Sequence, residues 1–475
     1  MKIFLVNPPF IEAYGQYKAA AKVGAQPQMP LGLAYIAATF EKMGHEVVLI
    51  DSDVEEMSVN DVIESIKNFA PNIVGVSSTT PIYNSASMIL ESVKKYNPEI
   101  VTILGGNHMT ALPQKTMEEN SSIDIGVVGE GEETVEELLS AIEKNKSFEK
   151  IKGILYRKDS KIVSNERRGA IKEIDEIPLP ARHLLKTEKY KWSVPDKGIV
   201  TVTSITSQRG CPFKCIFCGV NTMFPGATRY RDISKVVDEL EDVNKKFKID
   251  HFMFCDDTLT LNKNKVIEMC DEIAKRKLKI TFEGYTRANT ITKELLITLK
   301  KAGLVRLSFG IESGNPEILK AIKKGITTDE LKRAYEWCDE LSIETRGSLM
   351  IGHPFETKET VDESMKFVNS LKCYQMYVNV TTPYPGSELY DLAKENYGGL
   401  KLLTEDWKEY RRYGNAVMEM NDLSADNLIE LQQKAYKKFY FRPHIIWYNL
   451  KRAGLKAGFV NSLAFMKTMF TKKRN

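Results

Sequence analysis

The chain has 475 residues, of which 27% are charged and 43% hydrophobic, the balance of a soluble protein with two or three domains. Its net charge of +4 points to no polyanionic partner, so no nucleic acid is expected. The seven cysteines all fall at or after Cys211 and form no disulfide framework, no run of 18 apolar residues offers a membrane span, and the short apolar opening is cut by Pro8-Pro9, so a reducing cytoplasm is the expected setting.

Residues 1–148 alternate β-branched runs with helical stretches, the pattern of a doubly wound parallel sheet. Strands are predicted over Lys2–Val6, Glu46–Ile50, Asn72–Ser77, Ile100–Leu104 and Asp124–Val128. Helices fall between them over Leu31–Met43, Val59–Phe69 and Tyr83–Tyr96, with a last one over Glu133–Ile142. In such a sheet a ligand binds at the carboxyl ends of the strands. The loops there, Ser77-Ser78-Thr79, Gly105-Gly106-Asn107-His108 and Gly129-Glu130-Gly131, are rich in glycine and small polar residues. Glycines admit a large flat ligand close to the backbone, although tight strand-to-helix turns have the same composition. None of these loops has the spacing of a dinucleotide or triphosphate fingerprint.

Residues 149–197 read as a linker, with a β-hairpin turning at Asp159-Ser160 and a polar, proline-bearing stretch over Glu173–Ala181. Residues 198–395 then repeat strand and helix at the spacing of a β/α barrel. The strand Ile199–Thr206 is followed by strands near Phe252–Cys255, Lys279–Glu283, Arg306–Phe309, Glu344–Met350 and Met376–Val380. Six strands make a partial (β/α)6 barrel with a broad mouth.

The first barrel strand runs into Gln208-Arg209-Gly210 and three thiols, Cys211, Cys215 and Cys218. Three closely spaced cysteines without a fourth ligand nearby suit three irons of a [4Fe-4S] cube and leave the fourth iron open. A structural zinc site needs four ligands, and His251 and Cys255 lie far on without a paired spacing. Further groups stand where barrel strands end: Asp256-Asp257, Arg287 and Glu312-Ser313-Gly314. Taken singly they read as capping or solvated residues. Together they complement a zwitterionic nucleoside, with carboxylates for ammonium and hydroxyls and an arginine for a carboxylate.

The cysteine spacing, with the aromatic Phe217 before the last thiol, resembles the signature of the radical S-adenosylmethionine (SAM) enzymes. Asp256-Asp257-Thr258, the stretch Gly310–Gly314 and the stretch Met350–Thr357 resemble that superfamily's SAM-binding segments. The third departs from the usual pattern by carrying His353-Pro354-Phe355. Upstream, Asn7, Pro30 with Gly32, Gly105 to His108 and Gly129 to Glu132 resemble, in order, the cobalamin-binding domain of the cobalamin (B12)-dependent radical SAM family.

The resemblance implies three cofactors: a [4Fe-4S] cluster, SAM and cobalamin. It implies cluster ligation and catalysis by Cys211, Cys215 and Cys218, and SAM binding by Phe217, Asp256, Asp257, Arg287, Glu312, Ser313 and Gly314. Asn7, Pro30, Gly32, Ser77, Ser78, Gly105, Gly106, Asn107, His108, Gly129, Glu130 and Gly131 would surround the corrinoid. His108 does not fit the Asp-x-His-x-x-Gly motif that gives cobalt a histidine, and similarity to the family implies a corrinoid bound with its own base detached and no histidine in the lower axial position. His353 and Tyr384 are candidate substrate contacts, with loop packing an equal reading of Tyr384.

The implied activity is methyl transfer from methylcobalamin to an unactivated carbon, after hydrogen abstraction by a 5′-deoxyadenosyl radical. A reducing partner such as flavodoxin or ferredoxin would feed the cluster. The rival readings are a cyclase or rearrangement enzyme with the same cofactors, and a corrinoid sensor or carrier with an inert barrel.

Residues 396–475 are predicted to be helical. From Leu431 onward there are eleven Lys or Arg and no Asp or Glu, so the rest of the chain is net acidic. Ile445–Phe470 carries Leu450, Leu455, Phe459, Leu463, Met466 and Phe470 at near-helical spacing among Lys451, Arg452, Lys456 and Lys467. Such a helix lies on an anionic membrane surface or packs on the barrel with a solvated basic face. The basic tail points to a lipid, isoprenoid or tetrapyrrole substrate; a peptide, a sugar and an antibiotic precursor are the alternatives.

Overall fold

Short β-branched runs flanked by helices with one apolar face give the N-terminal half its parallel sheet. The computed structural model describes residues 1–10, 26–226, 228–411 and 414–453. Strands β1 (Lys2–Asn7), β2 (Glu46–Asp51), β3 (Ile73–Ser77), β4 (Val101–Gly105) and β5 (Ile125–Val127) pair in parallel in the order β2-β1-β3-β4-β5. Side chains alternate across each strand, so each face needs its own cover. Leu33, Ala37 and Phe40 of the helix Leu31–Lys42 and Leu138 of the helix Glu132–Glu143 bury one face. Ile66, Ile89 and Leu90 bury the other.

The hairpin of β6 (Ile154–Lys158) and β7 (Lys161–Ser164) adds antiparallel to β5 and extends this sheet to seven strands. Asp159 and Ser160 both have positive φ (49° and 63°), the geometry of a two-residue hairpin turn that matches strand twist. The segment read from sequence as part of a linker is therefore an edge of the first sheet.

The second sheet has the order β16-β15-β14-β13-β12-β9-β8. Its six parallel strands are β9 (Gly198–Ile205), β12 (His251–Phe254), β13 (Thr281–Thr286), β14 (Leu304–Glu312), β15 (Glu344–Ile351) and β16 (Gln375–Val380). They form the partial barrel expected from the sequence. A seventh strand, β8 (Lys191–Val194), pairs antiparallel with β9 and was not expected. Its four residues follow a proline-rich stretch and carry too little periodicity to stand out. Phe252, Phe282, Leu307, Leu349 and Val378 face the flanking helices.

The alternate residues turn inward and include the buried charged groups Glu283, Arg306, Glu344 and Arg346. Arg306 is fully buried and donates to both oxygens of Glu283 (2.9 and 2.8 Å) and to Glu344 (2.5 Å). Burial alone would raise Glu283, yet Arg306 beside it holds its carboxyl down at about 2.

The C-terminal residues buttress both sheets. The helix Ala425–Tyr440 covers the free edge of β16: Tyr436 and Tyr440 hydroxyls accept from the Val378 and Met376 amides, and Gln432 donates to the Val378 carbonyl. Trp407, Tyr410 and Val417 join Phe4, Val6 and Tyr83 in the core beneath the N-terminal sheet. The expected tail helix begins within the helix Pro443–Ala453, and the rest of it lies outside the described residues.

Candidate active site

The cysteine loop leaves β9 through a two-stranded ribbon, β10 (Gln208–Arg209) against β11 (Arg229–Tyr230). Gly210 turns at φ 93°, a conformation that favours glycine, and its carbonyl accepts from Thr228 Oγ1. Beyond it the loop is pinned at Ile216, whose amide donates to the Ile322 carbonyl (3.2 Å) and whose carbonyl accepts from the Leu389 amide (2.8 Å). All three cysteines are free thiols; Cys215 is buried and the other two are half-buried. Burial pushes the Cys218 thiol up to about 11, so a thiolate there calls for a cationic partner. Arg287 Nη1 donates to Cys215 Sγ at 3.5 Å, and Cys211 Sγ lies 3.9 Å from Thr258 Oγ1. Among the described residues, no three His, Cys, Asp or Glu side chains close round one point as ligands of a single ion would.

The other barrel residues singled out from sequence surround this loop, but they differ in how free they are. Asp256 is consumed locally: it accepts from the Ser207 amide and hydroxyl (2.7 and 2.6 Å) and the Gln208 amide (3.2 Å), and burial pushes it up to about 6. It aligns the strand end that leads into the ribbon. Asp257 faces a cavity and is raised by burial.

Glu312 sits at φ 62°, an uncommon backbone for glutamate, of the kind that clusters at functional sites. Its Oε1 accepts from Lys324 Nζ at 3.0 Å, while its buried Oε2 has no partner. Ser313 and the Gly314 amide are tied to Ser364 Oγ, both at 2.9 Å. A Cβ at Gly314 would meet Phe367 Cβ at 2.5 Å, so glycine is required there. Phe217 lies 6.0 Å, ring to ring, from His353. His353 is fully buried, and burial holds its pKa down at about 3. Tyr384 packs against Tyr410 at 6.1 Å, in the cluster that joins the C-terminal region to the first sheet.

The carboxyl ends of the two sheets face each other across a cavity of about 480 Å³. One wall is built from Gly32, Ser77, Gly105, Gly106, Asn107, Gly129, Glu130 and Gly131, all singled out from sequence. Behind them the cavity runs to apolar side chains between sheet and helices, among them Leu5, Phe40, Ile73 and Val135. Gly106 turns at φ 93°, and a Cβ there would come within 2.7 Å of the Ser78 carbonyl. The opposite wall is Thr206, Gln208, Arg209, Cys255 and Asp257 from the barrel, with Gly219 and Val220 after the last cysteine. The size and mostly apolar lining are those of a cofactor pocket.

Four residues that the sequence suggested for the corrinoid do not line this cavity. Asn7 donates to Asp51 Oδ1 (3.0 Å), and Pro30 precedes the first helix. Ser78 is buried in the turn after β3, donating to the Thr79 carbonyl. His108 points away from the cavity, with Nδ1 3.1 Å from Thr80 Oγ1 and its ring between Tyr83 (4.1 Å) and Trp407 (5.2 Å).

Sequence reasoning gave no site role to Tyr35, Glu132, Arg209 or Arg229. Arg209 donates to Glu130 (2.8 Å) and Glu132 (2.6 Å), lies 5.1 Å over the Tyr35 ring, and bridges the two halves of the molecule. Its place two residues before the first cysteine was the signal available. Lys324, the partner of Glu312, carried no signal of its own.

Residues 205–368 match the Radical SAM superfamily, and residues 17–139 match the B12 binding domain. The chain is 34% identical, over 94% of both chains, to an uncharacterized methyltransferase of Pyrococcus horikoshii. It is 29% identical to the anaerobic magnesium-protoporphyrin IX monomethyl ester cyclase of Rubrivivax gelatinosus, over 94% of this chain and 80% of that one. Among solved structures it shares its fold with the radical SAM methyltransferase TsrM of Kitasatospora setae, at 19% identity and a TM-score of 0.70, covering 93% of this chain and 90% of that one.

Proposed function

The chain belongs to the cobalamin-dependent radical SAM family, and from that membership we propose that it transfers a methyl group to an unactivated carbon of a small-molecule substrate. The observation that carries this reading is the shared cavity, which sets glycine loops of the B12-binding half against the barrel residues around the cysteine loop. The P. horikoshii relative, matched almost end to end, is named a methyltransferase.

In this reading Cys211, Cys215 and Cys218 hold a [4Fe-4S] cluster. Glu312, whose Oε2 is orphaned, would accept from a hydroxyl of SAM, and Asp257 would serve its ammonium. Phe217, Ser313 and Gly314 complete the SAM side, with Asp256 and Arg287 holding the loop's surroundings in place. When bound, the cluster with SAM supplies a 5′-deoxyadenosyl radical and methylcobalamin supplies the methyl group. The chain's own task is positioning: keeping the reacting groups in line and excluding water, with little acid-base chemistry. Gly32, Ser77, Gly105, Gly106, Asn107, Gly129 and Gly131 would hold the corrinoid, and a one-electron donor such as flavodoxin or ferredoxin would supply the electron the cluster needs.

Cys215→Ala abolishes formation of 5′-deoxyadenosine from SAM under dithionite, while the variant still takes up hydroxocobalamin. Persistent SAM cleavage in that variant refutes the cluster assignment. The similarity to the R. gelatinosus cyclase favours one rival, oxidation or cyclisation with the same cofactors. Transfer of deuterium-labelled methyl from SAM into product separates the two.

We also propose that the C-terminal end docks on an anionic membrane surface. The helix Pro443–Ala453 leaves Trp447 69% and Ile446 41% exposed, Phe441 before it is 53% exposed, and no acidic residue follows Glu430. No helix among the described residues is long and apolar enough to cross a membrane. Deleting residues 445–475 removes co-sedimentation with anionic liposomes, and undiminished binding by the truncated chain rejects the docking.

A further inference from the structure

The ribbon that carries the cysteine loop is electrostatically incomplete by itself. In its antiparallel register Arg209 stands directly opposite Arg229. Like charges facing each other across two strands destabilise the pair, and more so away from water. Both guanidinium groups are largely shielded, with side-chain exposures of 11% and 14%. What separates them is Glu130, which accepts from Arg209 Nη1 on one oxygen (2.8 Å) and from Arg229 Nη1 on the other (2.7 Å). Glu132 takes the second arm of Arg209 at 2.6 Å. Arg229 Nε and Nη2 are buried without hydrogen-bond partners, so its charge leans on Glu130. Two carboxylates from the N-terminal half thus balance two guanidinium groups of the barrel half.

These carboxylates are embedded in the corrinoid wall. They sit in and just after the turn Gly129–Gly131, which follows β5 and lines the cavity. The same turn is anchored to the segment between the sheets, since Glu130 Oε2 also accepts from the Ile171 amide at 3.1 Å. At its far end the ribbon leads through Gly210 to Cys211, and Thr228 Oγ1 holds the Gly210 carbonyl. Whatever orders the turn therefore orders the ribbon, and whatever fixes the ribbon fixes the turn.

We propose that Glu130 and Glu132 are positioning residues that couple corrinoid binding in the N-terminal crevice to cluster binding on the barrel, an inference that rests on the two-cofactor reading above. Each cofactor then binds more tightly when the other is present, by the same factor in both directions, because coupling between two sites is reciprocal. A simple docking contact between the halves contributes to stability and leaves the two affinities independent.

The test is equilibrium dialysis of hydroxocobalamin against the full-length protein, once with its iron–sulfur cluster reconstituted and once stripped of iron. The wild type binds hydroxocobalamin about tenfold more tightly with the cluster in place, within the usual range of such couplings. In the Glu130→Gln/Glu132→Gln variant the ratio falls below about twofold while both cofactors still bind. Should circular dichroism show that the double variant does not fold, Glu132→Gln keeps Glu130 between the two arginines and gives a ratio between those values. A wild-type ratio of one, or an unchanged ratio in either folded variant, overturns the coupling. Failure of the wild type to bind hydroxocobalamin overturns instead the two-cofactor reading from which the coupling is drawn.

Discussion

The two parallel sheets present a crevice at the same end, yet they line it with opposite materials. The N-terminal sheet offers backbone: Gly105, Gly106, Gly129 and Gly131 form its rim, with apolar side chains such as Leu5 and Phe40 in the depth. The barrel offers charge. Asp257, Arg287 and Glu312 stand at its strand ends, and the interior below them is crossed by the Arg306–Glu283–Glu344 network. Backbone and apolar surface select a ligand by shape, and charged groups select it by where its own charges lie. The first crevice is therefore vulnerable to added volume, the second to lost charge or lost thiol.

Gly32 is the place to break that comparison most sharply. It lines the cavity from the first turn of the helix Leu31–Lys42, and a Cβ built there meets no heavy atom within 4 Å. Gly32→Phe thus places a ring in the crevice without a backbone clash, and helix propensity favours the change slightly. The expected outcome is at least a ~10-fold loss of hydroxocobalamin affinity, on the order of 1.4 kcal/mol or more, with the thermal midpoint held. SAM cleavage to 5′-deoxyadenosine persists, because the cysteine loop is untouched. Together with Cys215→Ala, which loses SAM cleavage while hydroxocobalamin is still taken up, this distinguishes the crevice that each change disables. Unchanged corrinoid uptake by Gly32→Phe would remove the shape-selecting role from that wall.

The same contrast decides what was legible in the sequence. The cysteine loop is local: three thiols within eight residues, after a predicted strand and a glycine, are readable by spacing alone. The barrel strands are legible for a similar reason, since apolar residues facing helices alternate with inward polar ones. The glycine-rich cavity wall is assembled from turns far apart in the chain, and there the sequence marks the turns but not the orientation within each. Asn107 and His108 are neighbours on a helical turn, where one step rotates a side chain by about 100°. Asn107 reaches the cavity and His108 does not.

Glu130 shows the complementary gap. Its place in a glycine turn suggested a ligand contact, but its carboxylate is committed to Arg209 and Arg229, 79 and 99 residues away. Pairing over such distances leaves no periodic trace. The hairpin at Asp159-Ser160 and the strand β5 were each legible, while the pairing between them was not.

His108 sharpens the comparison from the other side, as a polar group in the N-terminal half that resembles a ligand and is built as core. Its ring is buried between Tyr83 and Trp407, and burial holds its pKa down at about 3. His108→Ala therefore acts on stability and not on cobalt. It costs about 3 kcal/mol in urea unfolding near pH 8, the low end for deleting a buried ring. The sign of its pH dependence follows from the lowered pKa: the unfolded chain takes up a proton below about pH 6.5 that the folded ring refuses. Wild-type stability supplied by this ring is thus complete above that pH and shrinks as pH falls toward 3. The gap between wild type and His108→Ala measured at pH 5 is accordingly smaller than at pH 8. The electron paramagnetic resonance spectrum of bound cob(II)alamin is the same in both proteins. Loss of a nitrogen hyperfine pattern in the variant would instead place His108 on the cobalt, and would make the N-terminal crevice a charge-selecting and ligand-donating site like the barrel.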